Sequence, residues 1–252
     1  MPFRLLLLAL AVLAWRDGHA QATATVTPDD RWHFALGAGA SVLSGNTESR
    51  SLNFGGDAVR MSDHDRFGLY TRTLDVQTPA QRTRTLGVGG QYNRDFTPAA
   101  FGFTKYDYLE DPPSNLSLRH SLAFGLGWHA IKTDAHSADL TAGLAATHDR
   151  FVTPAEIAGS LRSHYQRAES ILGENTDHKL ASGTTLKQKF ALYNDQRNRG
   201  HWRAEFDGGV SVPMTASLSL TASLNHRYDS EPGPGLRHHD TRFVTGVSMK
   251  LD

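Results

Sequence analysis

The chain has 252 residues, no cysteine, and 26 basic against 26 acidic side chains. Without cysteine it has neither a disulfide framework nor a thiolate metal site. The even charge balance gives no support for a nucleic-acid partner, and we expect none.

The first 20 residues are typical of a secretory signal peptide. A basic start precedes an apolar run over residues 5–15, and small residues follow it. The run is too short to cross a bilayer as a helix. We predict a signal peptide over residues 1–20, cleaved before Gln21 or, in a second frame, before Thr23. A polar leader follows to residue 30, and an uncleaved N-terminal anchor is the alternative.

Beyond this segment, no apolar stretch reaches the roughly 20 residues that a transmembrane helix needs. The pattern is one of alternation. From Leu218 to Leu224 the even positions hold leucine and alanine, whereas the odd positions hold serine and threonine. Successive side chains of a strand point to opposite faces, so this segment has one apolar and one polar face. Membrane strands of this kind must close into a barrel, because the bilayer core offers no partner to open edges.

The alternation recurs along the chain and predicts twelve strands. Their spacing of about 18 residues suits membrane strands of about 9–11 residues with connections. The eighth and ninth strands are the most weakly marked. In chain order, the predicted strands cover residues 32–42, 51–58, 66–76, 86–93, 101–108, 116–129, 139–147, 165–180, 186–193, 202–212, 218–228 and 242–251.

The fifth predicted strand changes the parity of its apolar residues. Phe101 and Phe103 share one parity, whereas Tyr106 and Tyr108 share the other. A bulge, or a section buried on both faces, accounts for such a change.

The predicted connections alternate in length. The even-numbered ones are short, and most odd-numbered ones are longer, such as residues 152–163 and 229–239. Only the first, near Gly45, breaks the trend. Bacterial barrels place short turns in the periplasm and longer loops outside. An even strand number then puts both termini in the periplasm. We therefore predict an all-β fold over residues 31–252, a transmembrane antiparallel β-barrel with an up-and-down meander.

Two segments carry a resemblance to a known family. Residues 39–49 resemble the G-x-x-x-x-S-G-N-T-x-S opening of YdiY-like proteins, and residues 228–241 resemble their R-Y-D-S-x-P-P-x-G…D-T ending. This family of unknown function is often described as salt-induced outer-membrane proteins. The resemblance implies an outer-membrane barrel without an established activity. One departure is the C terminus, Leu251-Asp252, where such barrels typically end in an aromatic residue.

No residue is predicted to be catalytic, cofactor-binding or metal-binding. His238 and His239 are the densest pair among 13 histidines, but adjacent strand residues face apart and chelate poorly without further ligands. His120 and Ser121 face apart for the same reason. Because no G-x-S-x-G elbow appears either, we predict that the protein is not an enzyme.

The polar faces of the predicted strands carry charges of both signs. These charges either line a channel or form paired ladders that close it, and their mixed sign favours ladders. Closely spaced glycines on the same faces leave space in the lumen or admit an inward plug. The predicted inward charges are Arg119, Lys187, Lys189, Arg203, Glu205, Asp207, Arg227, Arg242 and Lys250. The candidates for interfacial aromatic girdles are Trp32, Trp128, Trp202, Tyr92, Tyr106 and Tyr108.

We expect an outer-membrane barrel of unknown specific activity, either structural or a narrow passage for small solutes. Its expected partners are outer-membrane lipid and, during assembly, the barrel-insertion machinery; no cofactor is expected. The main alternative is a soluble periplasmic β-protein that binds a small ligand, and an outer-membrane hydrolase is the third. Leu220 and Leu224 distinguish the membrane barrel from the soluble protein, because they face lipid in the first and a packed core in the second.

Overall fold

The computed structural model describes residues 28–43, 49–157, 159–198, 200–232 and 236–251. Within these residues, twelve strands form a closed antiparallel barrel in which each strand pairs with its chain neighbours and β1 pairs with β12. The strands are β1 (Trp32–Leu43), β2 (Ser49–Met61), β3 (Asp65–Gln77), β4 (Arg82–Asp95), β5 (Ala100–Asp111), β6 (Leu116–Lys132), β7 (His136–Ile157), β8 (Ser160–Lys179), β9 (Thr185–Asp195), β10 (Trp202–Pro213), β11 (Leu218–Asp229) and β12 (His239–Leu251).

The predicted twelve-strand meander is confirmed. The two weakly marked strands are present, since β8 has 20 residues and β9 has 11. The predicted signal peptide, most of the polar leader and residues 44–48 of the first family motif lie outside the described residues. Among the described residues, no helix is long and apolar enough to cross a membrane.

The alternation of faces is also as predicted. Leu220 is 52% exposed on the outside of the barrel, whereas its neighbours Ser219 and Thr221 are buried inside. The same holds around the barrel, with Leu122, Leu144 and other large apolar side chains outside. An apolar belt of this kind suits lipid contact. The soluble alternative does not fit, because it requires these side chains to point inward.

The two ends of the barrel differ less than the sequence predicts. We call the end where β1 begins the terminal end and the opposite end the loop end. Connections at the terminal end have three to five residues, as predicted, but several at the loop end are equally short. The connections over residues 196–201 and 230–238 are the longer ones described there.

The prediction of a long loop over residues 152–163 was wrong. β7 and β8 continue as paired strands to Ile157 and Ser160, so the extra chain forms a hairpin. Most side chains of this extension are exposed, with Val152 at 54% and Leu161 at 75%, whereas Ala155 is 3% exposed. Without a continuous buried face, the hairpin does not alternate regularly, and the sequence pattern therefore misses it.

The predicted change of parity between Phe103 and Tyr106, by a bulge or by a section buried on both faces, was also wrong. β5 and β6 keep an unbroken register from Ala100 to Leu109, and the irregularity falls between Leu109 and Asp111. The parity of β5 does not change. Its two phenylalanines point into the barrel, where Phe101 is 1% and Phe103 is 8% exposed, whereas its tyrosines point outward.

Outward aromatic side chains lie near both ends of the barrel. Trp32 and Phe67 pack edge to face at the terminal end, with ring centroids 5.7 Å apart. Trp202 and Tyr228 stack at the loop end, with centroids 4.4 Å apart. This placement is that of aromatic girdles at two membrane interfaces.

Candidate functional site: the lumen

The barrel encloses a cavity of about 470 Å³, to which strands β2 to β12 all contribute lining residues. This volume falls within the range of about 300–1,000 Å³ that is typical of small-molecule sites. Of the nine charges predicted to point inward, eight line the cavity, and Lys250 does not. The lining therefore matches the polar face that the sequence indicates.

Basic groups outnumber acidic groups in this lining. The basic side chains are Arg66, Arg72, Lys105, Arg119, Lys187, Lys189, Arg203, Arg227 and Arg242, and the acidic ones are Asp57, Asp107, Asp139, Asp177, Glu205 and Asp207. Many of these groups are paired, as predicted. Arg72 contacts Asp57 at 2.6 Å, and Lys105 contacts Asp107 at 2.5 Å.

A bridge crosses the lumen in its loop half, and we call Asp111, Arg227 and Arg242 the transverse bridge. Asp111 ends β5, whereas Arg227 lies on β11, six strands away on the opposite wall. The Asp111 carboxylate accepts hydrogen bonds from Arg242 Nη2 at 3.1 Å and from Arg227 Nη1 at 3.4 Å. Asp111 is fully buried. The bridge therefore obstructs the lumen at this level.

A second network runs along the wall of the loop half, from β6 to β10. Arg119 holds Asp149 through two hydrogen bonds, of 2.6 and 2.7 Å. Arg167 joins Asp149 to Glu169, at 2.7 and 3.0 Å. Arg203 Nη2 donates to the same Glu169 oxygen at 2.8 Å. These five residues form the arginine ladder, in which each buried carboxylate is held by two guanidinium groups, as burial of charge requires.

Apolar side chains pack together on the inner face of the wall formed by β5 to β9, and we call this cluster the apolar wedge. Phe101 and Phe103 pack with alanines of neighbouring strands, with Ile171 and with Tyr193. The rings lie against glycines: a Cβ added to Gly127 would overlap the ring of Phe101, and one added to Gly125 would come within 2.8 Å of Phe103. The glycines therefore leave space inside the barrel, as predicted, and the rings of Phe101 and Phe103 occupy that space.

A histidine lies at the terminal end of this wedge. His129 stacks on Phe101 with centroids 4.6 Å apart. Its Nδ1 lies 2.6 Å from Asp139, and its Nε2 lies 3.1 Å from Asp95. Because carboxylates occupy both ring nitrogens, neither nitrogen is available to activate a nucleophile. This arrangement fixes the ring and does not resemble a catalytic base.

His120 and Ser121 face apart, as predicted. His120 contacts the hydroxyl of Tyr106 at 2.6 Å on the outside, whereas Ser121 contacts Thr147 at 3.1 Å inside. His238 bonds the backbone carbonyl of Asp229 at 2.9 Å. Among the described residues, no group of three or more His, Cys, Asp or Glu side chains is placed to hold a metal ion.

Sequence reasoning missed the acidic half of the networks. Asp111 lies directly before two prolines, and the sequence pattern places it in a connection. Arg167 and Glu169 lie in β8, whose apolar face is poorly marked. The signal that was present is parity, because Tyr165, Arg167, Glu169 and Ile171 share one face of a strand.

Comparison with known families gives a match over residues 36–250 to DUF481, a family described as proteins of unknown function. The chain belongs to the DUF481 family. This confirms the family of unknown function that the two motifs indicate. No curated protein matches this DUF481 chain.

Among solved structures, this DUF481 chain is similar to the NanC porin, at 15% identity and a TM-score of 0.50 over 87% of this chain and 100% of that one. It is also similar to the KdgM porin in complex with disordered oligogalacturonate (10% identity, 88% and 100% coverage, TM-score 0.43). A third similar structure is the translocator domain of the autotransporter NalP from Neisseria meningitidis (10% identity, 88% and 87% coverage, TM-score 0.44). The likeness to NanC concerns the fold, which is that of an outer-membrane β-barrel.

Proposed function

We propose that this DUF481 protein spans the outer membrane with both termini in the periplasm, and that its lumen is a narrow passage for small polar solutes. The observation that carries the proposal is a polar cavity of about 470 Å³ inside a barrel with an apolar outer belt. A polar interior and an apolar exterior are what a solute passage through a bilayer requires.

The passage we propose is obstructed in its loop half. The transverse bridge joins opposite walls through the single carboxylate of Asp111. In contrast, lining residues such as Lys187 and Asp177 lie within a few positions of the turn between β8 and β9 at the terminal end. Solutes would therefore enter from the terminal end, and passage would depend on breaking the bridge.

A structural, non-conducting barrel is the second candidate. It is favoured by the apolar wedge and the arginine ladder, which together occupy one wall. The wedge residues and four of the five ladder residues are less than 10% exposed, and the side chain of Arg119 is 15% exposed. We propose no catalytic role in either case, because His129 has carboxylates on both ring nitrogens.

Planar-bilayer recording separates the two candidates. The purified full chain should conduct weakly, and Asp111→Ala should conduct more, because it removes the carboxylate that links the two walls. Asp75→Ala is the matched control: Asp75 also pairs with an arginine, Arg82 at 2.7 Å, but on the outer face. A wild type and an Asp111→Ala variant that both fail to conduct would favour the structural barrel.

A further inference from the structure

The groups that a solute would meet in the lumen are mostly cationic. The lining contains nine basic and six acidic side chains. The carboxylates of Asp111, Asp149 and Glu169, which pair with arginines of the loop half, are at most 1% exposed and lie outside the lining. The cavity surface at this level therefore presents guanidinium groups, together with the carboxylates of Glu205 and Asp207.

Two of these cations have a side-chain donor without an acceptor. The Nε atoms of Arg203 and Arg227 are buried and have no acceptor among the described residues. The side chain of Arg203 is only 7% exposed and also lies over the ring of Tyr193, at 4.8 Å from its centroid. A buried donor without an acceptor is costly, so an oxygen supplied by a ligand would stabilise this arrangement.

Lys189 adds a further cation to the same region. It lines the cavity and makes no ion pair within 4.0 Å of any carboxylate in the described part of the chain. Lys189 lies directly opposite Asp207 in the pairing of β9 with β10, and Arg227 lies directly opposite Glu205 in the pairing of β10 with β11. Arg203 Nη1 is 3.8 Å from the same Glu205. The three cations therefore converge on one region of the lumen.

We infer that the lumen binds small organic anions, with a carboxylate or phosphate group held among Lys189, Arg203 and Arg227. Guanidinium and ammonium groups form short, charge-assisted hydrogen bonds with both kinds of oxyanion. The cavity is large enough for an organic acid or a phosphate ester of low molecular mass. This inference deepens the proposed passage by naming its class of solute, and it rests on that function only in requiring a lumen that solutes can reach.

Isothermal titration calorimetry on the full chain, folded in detergent, tests this site. Gluconate and glycerol 3-phosphate are the anionic probes, and sorbitol and glycerol are their neutral counterparts. We expect the anions to bind and the neutral molecules not to bind. The anion that binds with the higher affinity shows whether a carboxylate or a phosphate group is preferred.

Lys189→Gln is the decisive variant, because Lys189 has no ion pair whose loss would disturb folding. Removing one charge-assisted contact should weaken anion binding by roughly tenfold. Lys250→Gln is the matched control, since Lys250 is on the inner face of β12 but outside the cavity lining.

Three results would overturn the inference: no binding of either anion, equal binding of the neutral counterparts, or undiminished anion binding by Lys189→Gln. Its failure is distinguishable from failure of the passage. A barrel that binds the anions without conducting would contradict the passage and support the site, whereas conduction without anion binding would do the reverse.

Discussion

Asp111 and Arg242 are 131 residues apart in sequence, yet they form a 3.1 Å hydrogen bond across the lumen. Asp111 is 0% exposed and Arg242 is 7% exposed. A buried charge needs paired, hydrogen-bonded partners, and each of these residues has a second one: Asp111 also accepts from Arg227, and Arg242 Nη2 also donates to Asp240 at 3.1 Å. The contact therefore couples β5 to β12 as well as obstructing the lumen.

A double-mutant cycle measures this coupling. Asp111→Ala should lower the free energy of unfolding by about 3–5 kcal/mol, because it leaves two arginines without their shared carboxylate. Asp111→Ala combined with Arg242→Ala should cost less than the sum of the two single changes. Urea unfolding in detergent or lipid gives the four values, and strict additivity would show that the bridge does not contribute.

The packing of glycine against phenylalanine predicts an asymmetry between two glycines. Gly127→Ala should destabilise the barrel by about 1–3 kcal/mol, since the added methyl group overlaps the ring of Phe101. Gly68→Ala is the control, because a Cβ there meets no atom within 4 Å. Urea unfolding again provides the comparison. Equal stability of the two variants would contradict the packing of Phe101 in the apolar wedge.

The outer belt predicts the effect of a charge on the lipid-facing surface. Leu220→Arg should impair membrane assembly by about 2–4 kcal/mol if the residue lies near the bilayer midplane. Ala216→Arg, in the exposed turn between β10 and β11, should assemble normally. Folding into lipid vesicles at increasing urea measures both. If Leu220→Arg inserts as well as Ala216→Arg, the outer face does not contact lipid.

The absence of cysteine makes the orientation of the barrel directly measurable. Arg237→Cys lies in the connection between β11 and β12 at the loop end, and Ala181→Cys lies in the turn between β8 and β9 at the terminal end. On intact cells, a membrane-impermeant maleimide should label the first and not the second. The reverse pattern would place the termini outside.

The sequence predicts the features that depend on periodicity. Twelve strands, their closure into a barrel and the inward charges, eight of which line the cavity, follow from alternation alone, because lipid outside and polar groups inside impose it on each strand. Alternation fails where one of these conditions is missing. The extension of β7 and β8 has mostly exposed side chains and no continuous buried face. In β5, Phe101 turns inward because Gly127 provides the space.

The contacts that define the lumen are not predictable from one sequence. Arg119 is identifiable as an inward charge, but its bidentate partner Asp149 is known only once β6 and β7 are paired in register. The pairing of Asp111 with Arg242 depends further on the diameter of the closed barrel. Such partners depend on how the barrel closes and on the register of its strands. The periodicity of a single strand predicts neither.

The most direct test of the membrane barrel is the mobility of the membrane-extracted protein on SDS gels, with and without heating. We predict that the protein fractionates with the outer membrane and that the unheated form migrates differently from the heated one, because a closed barrel with paired strands resists SDS. A protein that is released with the soluble periplasmic fraction and shows one mobility in both conditions would contradict the account.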